Sequence, residues 1–180
     1  MKDDNRQLKF RDVHKDSKVQ KAFIESNRFP LALLCDSFSK AANIGMMLRL
    51  AEAARLQEVI LWNNKLDLSS KKIQRISRNN MEDVPIRSLS GNDSAEELSQ
   101  TYRLVASEWT NQSTTYKSFE WDERPILLLM GSEVTGLSDF WLERVEQSIH
   151  IPMFGLKTSM NVACAASILS YQLLEKRGLF

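Results

Sequence analysis

A chain of 180 residues with 43% hydrophobic and 26% charged side chains suffices for one well-cored domain and has the balance of an ordinary globular protein. Its net charge of +1 excludes a globally basic nucleic-acid binder, so any such surface must be a local patch. No apolar run approaches the ~20 residues that span a bilayer, and the opening MKDDNRQLKFRDVHKD has no apolar signal core. The two cysteines, Cys35 and Cys164, lie in apolar stretches without CxxC spacing or a nearby histidine. Together these features predict a cytoplasmic protein with no metal site, whose cysteines are small core residues.

Residues 1–28 are polar, with Val13, Val19, Phe23 and Ile24 as scattered hydrophobes. They predict a flexible start and one short docking helix. Phe29-Pro30 closes this N-terminal extension and opens a domain over 29–180. The run LALLC at 31–35 predicts a buried strand. After a polar turn at 36–40, Ile44, Met47, Leu48 and Ala51 recur at helical spacing, giving a helix over 43–55 that Asn43 can cap. A strand follows at 58–62. Ser70 caps a helix running to 77, a short strand covers 85–89, and a helix over 93–101 has Asp93 or Ser94 as its cap. The strand at 102–107 leads into a polar loop, 108–118. Residues 125–130 form the most apolar strand, ending at Gly131. A short helix over 138–145, a strand at 148–151 and a closing helix over 161–176 complete the chain. His150 reads as a structural histidine facing into or across the sheet. Strands alternating with helices predict an α/β fold, a mostly parallel sheet with helices on both faces.

Ligands of such sheets sit beyond the carboxyl ends of the strands, and the unusual residues cluster in three loops there. Four of the six glycines, Gly45, Gly131, Gly136 and Gly155, fall in them. In NIGMMLR (43–49), Gly45 and Arg49 are four apart on one helical face, and the missing side chain leaves room beside the arginine. By itself this segment also reads as a capped helix with a surface arginine. In GSEVTGLS (131–138), two glycines five apart flank a carboxylate, an arrangement that exposes backbone amides to a ligand. The fingerprint GxGxxG is absent there and after the first strand, which disfavours an ordinary dinucleotide fold. In IPMFGLKTSMN (151–161), Pro152 ends the strand ladder and Gly155 permits a sharp turn. Ser159 or Asn161 could also simply cap the helix that follows.

In this order and spacing, NIGMMLR, GSEVTGLS and IPMFGLKTSMN resemble the three motifs of the SpoU (TrmH-like) branch of the SPOUT methyltransferases, over about 29–180. The resemblance implies an α/β fold closed by a C-terminal deep trefoil knot, which general topology rules would not suggest. It implies S-adenosylmethionine bent inside the knot, methyl transfer to a ribose 2′-hydroxyl of tRNA or rRNA, and an active site completed across a homodimer. It also implies that Arg49, Asn43, Glu133, Ser159 and Asn161 form the catalytic region. Backbone groups near Met130, Gly131, Ile151, Met153 and Met160, with Ser107, are the expected cofactor contacts. Lys71, Lys72, Arg75 and Arg78, with the N-terminal extension, are the expected RNA contacts. Three residues depart from the family's pattern: Val134 and Arg55 stand where glycine is frequent, and Met160 where leucine is common.

Displacement at a sulfonium methyl gains most from alignment, and a ribose hydroxyl must lose its proton as the new bond forms. An arginine guanidinium keeps its proton at neutral pH. The expected role of Arg49 is therefore to stabilise the developing alkoxide and anchor a phosphate. Two other readings stay open at this stage: a catalytically silent RNA-binding protein on the same scaffold, and a base-directed SPOUT methyltransferase. The intact motif residues argue against the first, and the arginine of the first motif favours ribose over base.

Overall fold

The runs LALLCD and ILLLM build the centre of the sheet. In the computed structural model, which describes residues 17–77 and 83–179, β1 (Leu31–Asp36) and β6 (Ile126–Met130) are buried along their full length and pair in parallel. A strand covered on both faces needs apolar side chains at every position rather than every second one. Around them lie β2 (Val59–Trp62), β3 (Ile86–Leu89), β4 (Arg103–Ser107), β5 (Thr114–Thr115) and β7 (Gln147–His150). The seven strands run in the order β3-β2-β1-β6-β4-β7-β5, and every pairing is parallel. The carboxyl ends of β4, β6 and β7 therefore open on the same edge.

Alternate strand residues point into two cores. Leu31, Leu33 and Cys35 pack with Leu128 and Met130 against α2 (Ala41–Ala53), α3 (Lys71–Ser77) and α6 (Val162–Lys176). Ala32 and Leu34 pack with Leu127 and Leu129 against α4 (Asn92–Thr101) and α5 (Asp139–Leu142). The N-terminal helix α1 (Ser17–Ser26) docks through Arg55, whose guanidinium lies 4.2 Å from the Phe29 ring centroid and 5.4 Å from that of Phe23. Arg55 has φ 48°, a left-handed conformation that glycine adopts more cheaply, and its aromatic contacts give the arginine a use there. The expected flexible start at 1–16 and the candidate RNA contact Arg78 lie outside the described residues.

Several local expectations are corrected. The helix bearing the first motif starts at Ala41, so Asn43 is buried inside its first turn, and Lys40 occupies the cap position without a side-chain cap bond. Neither Asp93 nor Ser94 caps α4; Gly91, at φ 83°, precedes it. Helix α5 ends at Leu142 rather than 145. The polar loop holds the two-residue strand β5 and a 3-10 turn, Tyr116–Ser118. Cys35 is buried but Cys164 is exposed on the outer face of α6, because the buried stripe of that helix runs through Ala163, Ala166, Leu169 and Leu173. The space at Gly45 is not left for Arg49. A Cβ there would stand 2.8 Å from both Cβ and Cγ2 of Ile76, so the glycine lets α3 pack closely on α2. Ser70 does cap α3, its Oγ accepting the Ile73 N–H at 3.5 Å.

Candidate active site

Beyond the carboxyl ends of β4, β6 and β7 lies a cleft of about 730 Å³. Ser107, Met130, Gly131, Ile151, Met153 and Met160 all line it, together with Glu133, Ser159 and Asn161. Residues from the second and third motifs thus converge on one cavity, and none of 43–49 lines it.

Behind the cleft wall the motifs are joined by a chain of hydrogen bonds. Asn161 caps α6, its Oδ1 accepting the N–H groups of Ala163 (2.9 Å) and Cys164 (3.3 Å). Its Nδ2 donates to Asn43 Oδ1 at 3.2 Å. Asn43 in turn donates through Nδ2 to Glu133 Oε1 at 2.5 Å. The other Glu133 oxygen accepts from the Ser39 hydroxyl at 3.2 Å and the Ser39 N–H at 3.5 Å. Burial pushes the Glu133 carboxyl up, but hydrogen bonds from its own N–H, Asn43 and Ser39 outweigh this and hold it below the ordinary glutamate value. Glu133 is therefore an ionised acceptor at neutral pH. Burial, and then the charge of Glu133, push the Cys35 thiol up, so Cys35 stays protonated and chemically quiet.

The loop after β6 does not present the array of free amides expected from its glycines. The Ser132 and Gly136 N–H groups bond each other's carbonyls at 2.9 and 3.1 Å. The Thr135 N–H goes to Ser132 Oγ (3.1 Å), the Leu137 N–H to Glu108 Oε2 (3.1 Å) and the Ser138 N–H to Asp36 Oδ2 (2.9 Å). The glycines serve the tightness of this turn. A Cβ on Gly131 would lie 2.1 Å from the Leu137 nitrogen, and Gly136 sits at φ 71° against the Glu108 carboxylate. Val134 occupies the loop tip, 81% exposed, and lines the cleft.

The remaining residues are placed unevenly. Arg49 is exposed on α2, outside the cleft lining, without a hydrogen bond or ion pair among the described residues. Ser159 is exposed on the rim. Lys71, Lys72 and Arg75 are exposed on α3 and do not border the cleft. Sequence reasoning missed Ser39, Glu108 and Trp109. Trp109 stacks on His150 with ring centroids 5.4 Å apart, and His150 Nδ1 shares a 2.9 Å hydrogen bond with Ser113 Oγ. His150, read from the sequence as a structural histidine, has these two structural contacts and also lines the cleft. The available signal was position: residues 108 and 109 directly follow a buried parallel strand.

The sequence model of the SpoU rRNA Methylase family matches residues 30–171. A Staphylococcus aureus protein assigned to the TrmH family of tRNA/rRNA methyltransferases is 29% identical over 154 residues, covering 85% of this chain and 62% of that protein. The 23S rRNA (guanosine(2553)-2′-O)-methyltransferase RlmP of Bacillus subtilis is 28% identical over 141 residues, covering 78% of this chain and 56% of that enzyme. Among solved structures, the SpoU methyltransferase AviRb of Streptomyces viridochromogenes, in complex with the cofactor AdoMet, superposes with a TM-score of 0.74. Its identity is 25%, over 81% of this chain and 57% of that one. The chain spans about three-fifths of the length of the curated relatives it matches.

Proposed function

Because the chain belongs to the SpoU rRNA Methylase family, we propose that it transfers the methyl group of S-adenosylmethionine to a ribose 2′-hydroxyl of tRNA or rRNA. The observation that carries this reading is the hydrogen-bond chain Asn161–Asn43–Glu133–Ser39, which ties the three motifs into one constellation. The residues of the cleft fit the cofactor. Its volume falls within the 300–1,000 Å³ usual for small-molecule sites. Met130, Leu137, Ile151 and Met160 offer apolar walls to a purine. Glu108, Glu133 and Asp139 set three carboxylates against one lysine, Lys40, a balance that suits a sulfonium cation. When bound, the cofactor supplies an electrophilic methyl group.

The protein's own part is alignment and charge. Ionised Glu133, held by Asn43 and Ser39, is a fixed acceptor for a guanidinium or for the ribose hydroxyl. Arg49 stabilises the alkoxide as it forms and anchors an adjacent phosphate. Ser159 on the rim positions the ribose. Met130, Gly131, Ile151, Met153, Met160 and Ser107 hold the cofactor, largely through backbone groups. Lys71, Lys72 and Arg75 take RNA phosphates.

The same reading includes a homodimer. Helices α2 and α6 pack on each other yet leave Met46 (41%), Ile168 (39%) and Tyr171 (43%) exposed, an apolar face that a second copy would cover. Arg49 lies outside the cleft of its own chain, which fits a site completed by the partner. The trefoil knot belongs to the proposal as well, supported by the path of 151–161 from β7 back to the α2 side of the sheet. No helix among the described residues is long and apolar enough to cross a membrane, which accords with the cytoplasmic location proposed here.

The test is transfer from methyl-labelled S-adenosylmethionine to unmodified tRNA and rRNA transcripts, alongside calorimetry with the cofactor. The proposal predicts cofactor binding and label in RNA that resists alkaline cleavage beside the modified ribose. Cofactor binding without transfer, or label recovered on a base, would contradict it.

A further inference from the structure

On the far side of the Ser39–Glu133 contact lies a second groove, of about 940 Å³, which the proposed chemistry does not use. It sits beyond the carboxyl ends of β1, β2 and β3, where parallel sheets hold ligands. Ser37, Ser39, Asn63, Asn64, Ser88 and Ser90 line it, with apolar patches between them and Lys65 as its one charged residue among the described residues. Strands β1 and β2 are each followed by a residue in the left-handed region, Ser37 at φ 55° and Asn63 at φ 50°. Both loops therefore turn sharply off the sheet at this groove, and strain of that kind collects at ligand sites.

Asn64 supplies the specific clue. Its Oδ1 accepts the Leu66 N–H at 2.6 Å, which fixes the amide plane. Its Nδ2 is then left buried with no hydrogen-bond partner among the described residues. A buried amide donor without an acceptor is costly and rare, and Asn64 lines the groove, so an acceptor brought against it there would satisfy it. Neutral amides and hydroxyls over apolar patches suit the edge and face of a nucleobase better than a phosphate.

We propose that this groove takes one nucleobase of the substrate RNA beside the methylated ribose, with Asn64 Nδ2 donating to an acceptor on the base edge. The proposal rests on the RNA methyl-transfer reading above. Ser39 couples the two cavities: it lines the groove, and its hydroxyl donates to Glu133 in the first cleft. Base recognition is thereby transmitted to the catalytic constellation through one side chain.

The experiment titrates the full chain with each of the four ribonucleoside 5′-monophosphates while following the Asn64 side-chain amide by NMR. Asn64→Asp identifies that resonance and keeps the oxygen that holds Leu66. The expected result is a shift of the Asn64 amide, with one base binding at least about 5-fold tighter than the weakest. That preference should vanish in Asn64→Asp, whose S-adenosylmethionine affinity stays as in the wild type. An Asn64 amide unmoved by all four nucleotides in a protein that binds the cofactor overturns the inference alone. So does an Asn64→Asp protein that keeps the preference, or one that loses cofactor affinity. A wild-type protein that binds neither cofactor nor nucleotide overturns the inference together with the reading it rests on.

Discussion

Replacing Gly45 by alanine separates a packing role from a catalytic one. The new Cβ would lie 2.8 Å from Ile76 Cβ and Cγ2 and 3.3 Å from the Ile73 carbonyl oxygen. Carbon atoms rest about 3.5–4.0 Å apart, so α3 must retreat by about 1 Å. Cβ of Ile76 is the root of its side chain and cannot swing aside. Overpacking of this kind costs about 1–3 kcal/mol, while alanine in place of glycine inside a helix gains about 1 kcal/mol. The net expectation is a loss of about 1 kcal/mol, or about 2–4 °C in Tm for a chain of this size. Urea and thermal melts measure it, and S-adenosylmethionine affinity stays unchanged because Gly45 does not line the cleft. In an Ile76→Gly background the clash with Ile76 is gone and the same substitution should become stabilising. A Gly45→Ala protein as stable as the wild type in both backgrounds would refute the packing argument. Intact stability with lost transfer would return Gly45 to a role beside Arg49.

Asn161→Ala removes both the α6 cap and the link to Asn43 and should cost about 1 kcal/mol of stability as well as methyl transfer. Asn161→Asp keeps the capping oxygen and loses only the donor to Asn43. It should melt near the wild type yet transfer methyl poorly, and equal activity in the two proteins would show that the hydrogen-bond chain is idle. Gly131→Ala drives a Cβ into the backbone of Gly136 and Leu137, so calorimetry should show S-adenosylmethionine affinity lost along with the tight turn. Unaltered affinity there would mean the turn does not shape the cofactor site. Because the Glu133 carboxyl is held below its ordinary value, its contribution to stability is full above the ordinary glutamate range and is lost as pH falls through the depressed value. Urea melts should therefore show wild type and Glu133→Gln apart near pH 7 and converging as the pH falls below the ordinary glutamate range through the depressed value; a gap that ignores pH would contradict the linkage.

The strands around 31–35 and 125–130 were legible because uninterrupted apolar runs have few other uses in a chain of this composition. The start of α2 was not. Asn43 has the chemistry of a cap, but its amide is claimed by Glu133, ninety positions away in sequence, and no local window contains that partner. The cleft lining carried by Met130, Gly131 and Ile151 could be read from the motifs, whereas Glu108 and Trp109 sit in an aperiodic polar loop that reveals its role only once β4 and β7 are adjacent. The eight-residue motif-two loop, 131–138, misled in a specific way. Glycines suggested open amides, yet Ser132, Glu108 and Asp36 consume them, because a tight turn and an amide cradle ask for the same residue. Arg55 was visible as a departure from a glycine position, but not as the cation clasped by Phe23 and Phe29.

The central claim is ribose methylation of RNA by the Asn43–Glu133–Asn161 constellation with Arg49. Its most direct test is a transcriptome-wide map of 2′-O-methylated nucleotides in tRNA and rRNA, comparing cells with the intact chain and cells carrying Arg49→Ala. The account predicts that one or a few ribose methylations disappear while every base methylation remains. An unchanged map, or a missing methyl group that had been on a base, would contradict it.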